Sequence, residues 1–248
     1  MFLASRISRS VAASALITVV LLMGNGPATA VDLTEEETVN RILIQETSAP
    51  SWFPTPTRIT RKVVGLTPQV NVCMRGEDEV AIDGAATTGT TWFDFAPPNT
   101  AYMNMGETVY LFDTDAAAEA AWERVVKAAT GRCAGKDAID LPESEDQPAI
   151  DVSSTQSVAR GERQYGTRSV EITARSSWVP RGSTEVYRTG SGFDVWRLAG
   201  RSIVRIASTK VVPGSKASAL SAQERATVRA LSMVGAERAM QVTDPSNS

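Results

Sequence analysis

Residues 107–133 read ETVYLFDTDAAAEAAWERVVKAATGRC, and the change of period inside this stretch decides the class of the fold. Val109-Tyr110-Leu111-Phe112 is a β-branched and aromatic run that suits a pleated sheet. Thr114 or Asp115 then caps a helix in which Ala118, Trp122, Val125, Val126 and Ala129 recur at i, i+4, i+7, i+8 and i+11. Gly131 reads as its end, with Cys133 just beyond. On the N-terminal side, Thr91-Trp92-Phe93-Asp94-Phe95 is a strand turned by Pro97-Pro98-Asn99. Ala101 to Met105 and Glu107 to Phe112 follow, with Gly106 expected as a bulge or kink. Val63 to Cys73 and Glu79 to Ile82 read as short strands. A first helix is expected over residues 33–46, capped by Thr34 with Glu37 three residues on, its apolar face made by Val39, Ile42 and Leu43.

On the C-terminal side, residues 135–150 are polar and acidic and read as a loop. Strands follow at about 151–159, 167–177, 184–189, 193–199 and 202–210, with Gly190-Ser191-Gly192 and Ala199-Gly200 as hairpin turns. Ser221 with Glu224 caps a last helix carrying Val228, Leu231 and Val234, and residues 244–248 read as a disordered tail. The order helix, strands, helix, strands, helix predicts an α+β fold: a mainly antiparallel β-sheet with amphipathic helices on one face and the other face free for solvent or a ligand.

The first thirty residues carry a different signal. Arg6 and Arg9 precede an apolar stretch from Val11 to Met23, too short for the roughly 20 residues that span a bilayer. Gly24 to Pro27 break it, and Ala28-Thr29-Ala30 supplies the small residues of a cleavage site. Residues 1–30 are therefore expected to be a signal peptide cut after Ala30, leaving residues 31–243 as a single exported domain with no stable membrane anchor. Cleavage removes two arginines and no acid, which moves the net charge from −3 to −5. That acidity, with no basic cluster, argues against nucleic acid as a partner. Cys73 and Cys133 are the only cysteines. They are either a disulfide, which an oxidising compartment favours, or two free thiols.

Catalytic chemistry is hard to place on this chain. It has no histidine, which removes the Ser-His-Asp and Cys-His arrangements and the commonest metal ligand and general base. None of its five lysines forms S-x-x-K. Gly84-Ala85-Ala86-Thr87-Thr88-Gly89 has the glycine spacing of a phosphate loop but lacks the lysine, and is expected to be a small-residue loop. No catalytic residue, metal site or cofactor is expected. The alternatives are a histidine-free envelope hydrolase using a carboxylate pair, or a structural protein-interaction module.

The candidate binding residues are aromatic and arginine side chains of the sheet: Trp92, Tyr102, Tyr187 and Trp196, with Arg197 and Arg205 flanking the last hairpin and sharing a face. They are expected to converge on a concave pocket opposite the helices, for an envelope small molecule, glycan or lipid, or for a protein partner.

Three stretches resemble the PknH-like extracellular sensor domain family. They are Arg41-Ile42-Leu43-Ile44 through Ala49-Pro50-Ser51-Trp52, then Val109-Tyr110-Leu111-Phe112 through Trp122 to Cys133, then Asp194-Val195-Trp196-Arg197 to Ile203-Val204-Arg205-Ile206 with the last helix. The resemblance implies an exported α+β domain with a ligand-sized cleft that senses or binds something in the cell envelope. Members commonly carry a second disulfide, for which this chain has no cysteines.

Overall fold

A computed structural model describes residues 33–44, 56, 58–64, 69–73, 79–81, 84–95, 102–143, 148–161, 163, 166–215 and 219–243. The expected signal peptide, the Pro97–Asn99 turn, the passage at 49–52 and the tail lie outside them. In chain order the elements are α1 (Leu33–Ile42), β1 (Arg58–Val64), β2 (Gln69–Asn71), β3 (Glu79–Ala81), β4 (Ala85–Phe95), β5 (Tyr102–Phe112) and α2 (Asp115–Ala128). There follow β6 (Gly135–Leu141), β7 (Ile150–Arg160), β8 (Arg168–Pro180), β9 (Arg188–Ala199), β10 (Ser202–Pro213) and α3 (Ala222–Thr243). Eight strands form one antiparallel sheet in the order β1-β4-β5-β10-β9-β8-β7-β6, and β2 pairs with β3 apart from it.

The α+β class, the antiparallel sheet and the disulfide hold. The helices, however, are divided between the two faces. Strand alternation sends Met103, Met105, Val109 and Leu111 of β5 to one side, where they form a core with Val39, Ile42 and Leu43 of α1 and Val228, Ala236 and Ala239 of α3. Tyr110 and Phe112 point the other way, into a second core with Ala118, Trp122 and Val125 of α2 and with both cysteines. Among the described residues, the part of this second face that α2 does not reach carries no helix.

Several local expectations hold for their stated reasons. The Thr114 hydroxyl accepts from the Ala117 amide at 3.1 Å and caps α2. Ser221 and Glu224 form a complete capping box: the Glu224 amide donates to Ser221 Oγ at 3.1 Å and the Ser221 amide to Glu224 Oε2 at 2.6 Å. Gly200, with φ +55°, turns the β9–β10 hairpin.

Others are corrected. The 84–89 stretch is the first half of β4, not a loop, because α1 lies on it. A Cβ on Gly89 would stand 2.3 Å from the Val39 side chain, and Thr87 Oγ1 donates to Glu35 Oε2 at 2.8 Å. Gly106 stays in register, and the irregularity falls between Ala85 and Thr87 instead. Gly190-Ser191-Gly192 is interior to β9, paired on both sides, and the strand placed at 184–189 starts at Arg188. The acidic 135–150 segment supplies β6, an edge strand whose half-buried Asp137, Ile139 and Leu141 alternate with exposed residues. Gly131 does not stop α2; the chain runs on through a π-helical turn, Ala129–Cys133. Thr34 lies within the first turn of α1, so it does not precede the helix as a cap would. Val234 points outward on α3. The 63–73 strand divides into β1, which starts earlier, and the short β2, leaving Val72 and Cys73 beyond it.

Cys73 and Cys133 are bonded across 60 residues of sequence, clamping the segment after β2 to the end of α2. Replacing both by alanine is expected to lower stability by about 2–4 kcal/mol in urea denaturation, because the unfolded chain regains the freedom of a long loop.

Candidate functional site

Cross-strand pairing arranges the second face in rows. Trp92, Gly106, Ala207, Asp194 and Ile172 form the row nearest α2. Next come Asp94, Asn104, Thr209, Gly192, Ala174 and Gln156, then Tyr102, Val211, Gly190, Ser176 and Ser154, and finally Pro213, Arg188, Trp178 and Val152. The middle of this patch is floored by glycine, alanine, serine and threonine. Two indoles stand over it, each laid across a glycine of the neighbouring strand. A Cβ on Gly106 would fall 2.3–2.8 Å from the Trp92 ring, and one on Gly190 would fall 2.5–2.7 Å from the outer edge of the Trp178 ring. Glycine is required at both places because the ring occupies the space of a side chain. Both indoles remain half-buried, so each keeps surface available to solvent.

Beside Trp92 runs a short polar chain. The Tyr102 hydroxyl donates to Asp94 Oδ1 at 3.1 Å and accepts from Asn104 Nδ2 at 2.8 Å. Burial, with the Asp94 carboxylate next, pushes the Tyr102 phenol up to about 12, so it stays a proton donor across the physiological range. Asn104 is buried, and its Oδ1 accepts no hydrogen bond among the described residues. Ser154 Oγ is in the same position on the far side of the patch.

The six candidates from the sequence are not brought together as one group. Trp92 and Tyr102 sit on the patch. Trp196 and Arg205 share its face, but Trp196 is fully buried toward α2, its ring parallel to Tyr110 with centroids 6.0 Å apart. The Arg205 guanidinium covers Trp196 at 4.8 Å and is committed to Asp194, donating from Nε at 2.9 and 3.1 Å and from Nη2 at 2.7 Å. Arg197 and Arg205 do not share a face: Arg205 pairs with Trp196 and Arg197 with Val204. Arg197 points to the α3 side and donates to Thr167 Oγ1 at 3.0 Å and Ser232 Oγ at 3.4 Å. Tyr187 precedes β9 at the end of the sheet, its ring covered by the Arg188 guanidinium at 4.7 Å.

Trp178 is the residue that sequence reasoning left out of the site. The signal that could have found it is Gly190: a glycine inside a strand asks for something large on the strand beside it. A cavity of about 430 Å³ opens elsewhere, between α2 and the start of β8, lined by Glu119, Arg163, Thr167 and Arg168. Arg168 is paired there with Glu119 and Glu123. Among the described residues, no cluster of three or more metal-ligating side chains occurs, and no helix is long and apolar enough to cross a membrane.

No family model matches the chain, and no curated protein matches it. Among solved structures the chain is similar, distantly, to the extracellular domain of PknH from Mycobacterium tuberculosis, with a TM-score of 0.47 and 11% identity over 82% of this chain and 96% of that one.

Proposed function

We propose that the mature chain is an exported, non-catalytic binding domain of the sensor type, and that it holds its ligand on the half of the sheet framed by Trp92 and Trp178. The observation that carries this reading is the pair of half-buried indoles laid over glycines on one face, with Asn104 presenting a buried, unused acceptor between them. The leader-like first thirty residues and the Cys73–Cys133 bond support export.

A carboxylate-pair hydrolase is poorly served by the two most deeply buried acids. Glu107 faces α3 and Asp194 faces the other way, and Asp194 is already bonded to Arg205.

The test is a thermal-shift screen of the purified exported protein against glycans, lipids and small anions. At least one ligand should raise Tm in a concentration-dependent way, and the W92A/W178A double variant should lose that response. A screen with no response, or a response unchanged in the double variant, would overturn the proposal.

A further inference from the structure

The patch on β5, β10 and β9 is small in its side chains, polar in its lining and close to neutral in charge. Resting on the binding reading above, we infer that its ligand is an uncharged oligosaccharide, with one sugar ring stacked on Trp92 and another on Trp178.

Three features select this class. First, an indole backed by a glycine offers a flat apolar surface to the C–H face of a sugar ring, and its burial supplies contact area at small entropic cost. Second, groups that read hydroxyls stand by the indoles: the buried Oδ1 of Asn104 and the Asp94 carboxylate beside Trp92, and the Ser154 hydroxyl just past Trp178. A ligand hydroxyl donating to Asn104 would satisfy a buried acceptor that has no partner among the described residues.

Third, charge argues against an anion. Of the three arginines on this part of the face, Arg205 is bonded to Asp194, Arg188 lies on Tyr187, and Arg58 stands in register beside the Asp94 carboxylate. A floor of Gly192, Ala174 and Thr209 likewise carries none of the large aliphatic side chains that line a cleft for an acyl chain.

The spacing sets the ligand's length. Gly106 and Gly190, which seat the two rings, are two strands apart and four residues apart in register. That places the platforms about 16 Å from one another, beyond a single sugar and within reach of a short chain.

The test is titration of the purified exported protein with neutral tetrasaccharides of glucose, mannose and galactose, followed by tryptophan emission and by the indole N–H resonances. At least one should saturate and shift both the Trp92 and Trp178 signals. W92A and W178A should each weaken it about tenfold, and the matching monosaccharide should bind at least about tenfold more weakly. Trp92→Phe and Trp178→Phe, which keep a ring over each glycine, should retain most of the affinity. This separates lost stacking from misfolding.

No saturable response to any neutral tetrasaccharide, or one that survives both alanine variants, would overturn the assignment. If a lipid or anion from the thermal-shift screen depends on Trp92 and Trp178 while the tetrasaccharides are silent, the binding reading stands and the carbohydrate assignment falls. If nothing depends on the two indoles, both fall.

Discussion

Replacing Arg205 with methionine is expected to cost about 3–5 kcal/mol, because it leaves the carboxylate of Asp194 buried without its partner. Asp194 is fully buried, and Arg205 is 17% exposed in its side chain, so the two ends of the pair are unequal. Burial pushes the Asp194 carboxyl up against the pull of the guanidinium. With Arg205 gone the main opposition to burial is lost, and the acid must take up a proton or draw in water. Asp194→Leu should cost less, since the remaining cation keeps the Trp196 face and some access to solvent. The double variant D194L/R205M should recover much of the loss, since a well-packed apolar pair often matches a buried ion pair. Urea denaturation of the four proteins closes the cycle. Equal losses in both single variants with no recovery in the double would mean that the side chains act through packing and not through charge.

The elements read most easily from the sequence are those whose signal is local. Thr114, Ser221 and Glu224 cap helices through atoms within three residues of themselves, and the 3.6-residue period of α2 needs no partner to be seen. Three of the errors share one physical cause, which is a small residue whose reason lies on another element. Gly89 is needed by Val39, Gly106 by Trp92 and Gly190 by Trp178. Read along the chain, each glycine suggests a turn or a break, and only the neighbour from another element shows that it is a seat. Edge strand β6 escaped for a related reason: with one flank open to solvent, its acidic residues cost little and conceal the alternation.

The candidate site was half legible for the same reason. Alternation sends Trp92 away from Phe93 and Tyr102 away from Met103, and the β4–β5 register then puts Trp92 and Tyr102 on one face. Pairing Arg197 with Arg205 needed the register of the β9–β10 hairpin. In a two-residue turn closed by Ala199 and Ser202, positions 197 and 204 are partners, so 197 and 205 fall on opposite sides. One residue of register decides whether an arginine meets a ligand or the buried hydroxyls of Thr167 and Ser232.

Glu107→Gln is expected to make the protein more stable at pH 8 by roughly 3–5 kcal/mol and to remove the share of the pH dependence that Glu107 contributes. Glu107 projects from β5 into the core beneath α3. Its carboxylate accepts from the Ile44 amide just past α1, and Gly235 of α3 has no side chain because a Cβ there would lie 2.5 Å from Oε1. Burial raises its pKa to about 8, against the opposing pull of the Ile44 amide, Arg238 and Arg61. The unfolded chain releases this proton near 4.5, so between about 4.5 and 8 the folded state holds a proton that the unfolded state has lost. Stability is then full below about 4.5, falls as pH rises through the interval and levels off above about 8. Glutamine keeps the shape and an acceptor for Ile44 without the charge, so its curve should lose the part of the fall that Glu107 contributes. Asp194, also raised by burial, contributes a slope of the same sign from the opposite face, and E107Q leaves it in place. Urea denaturation at pH 4.5, 6, 7 and 8 measures both curves, and parallel declines in the two proteins would show that Glu107 is not the titrating group.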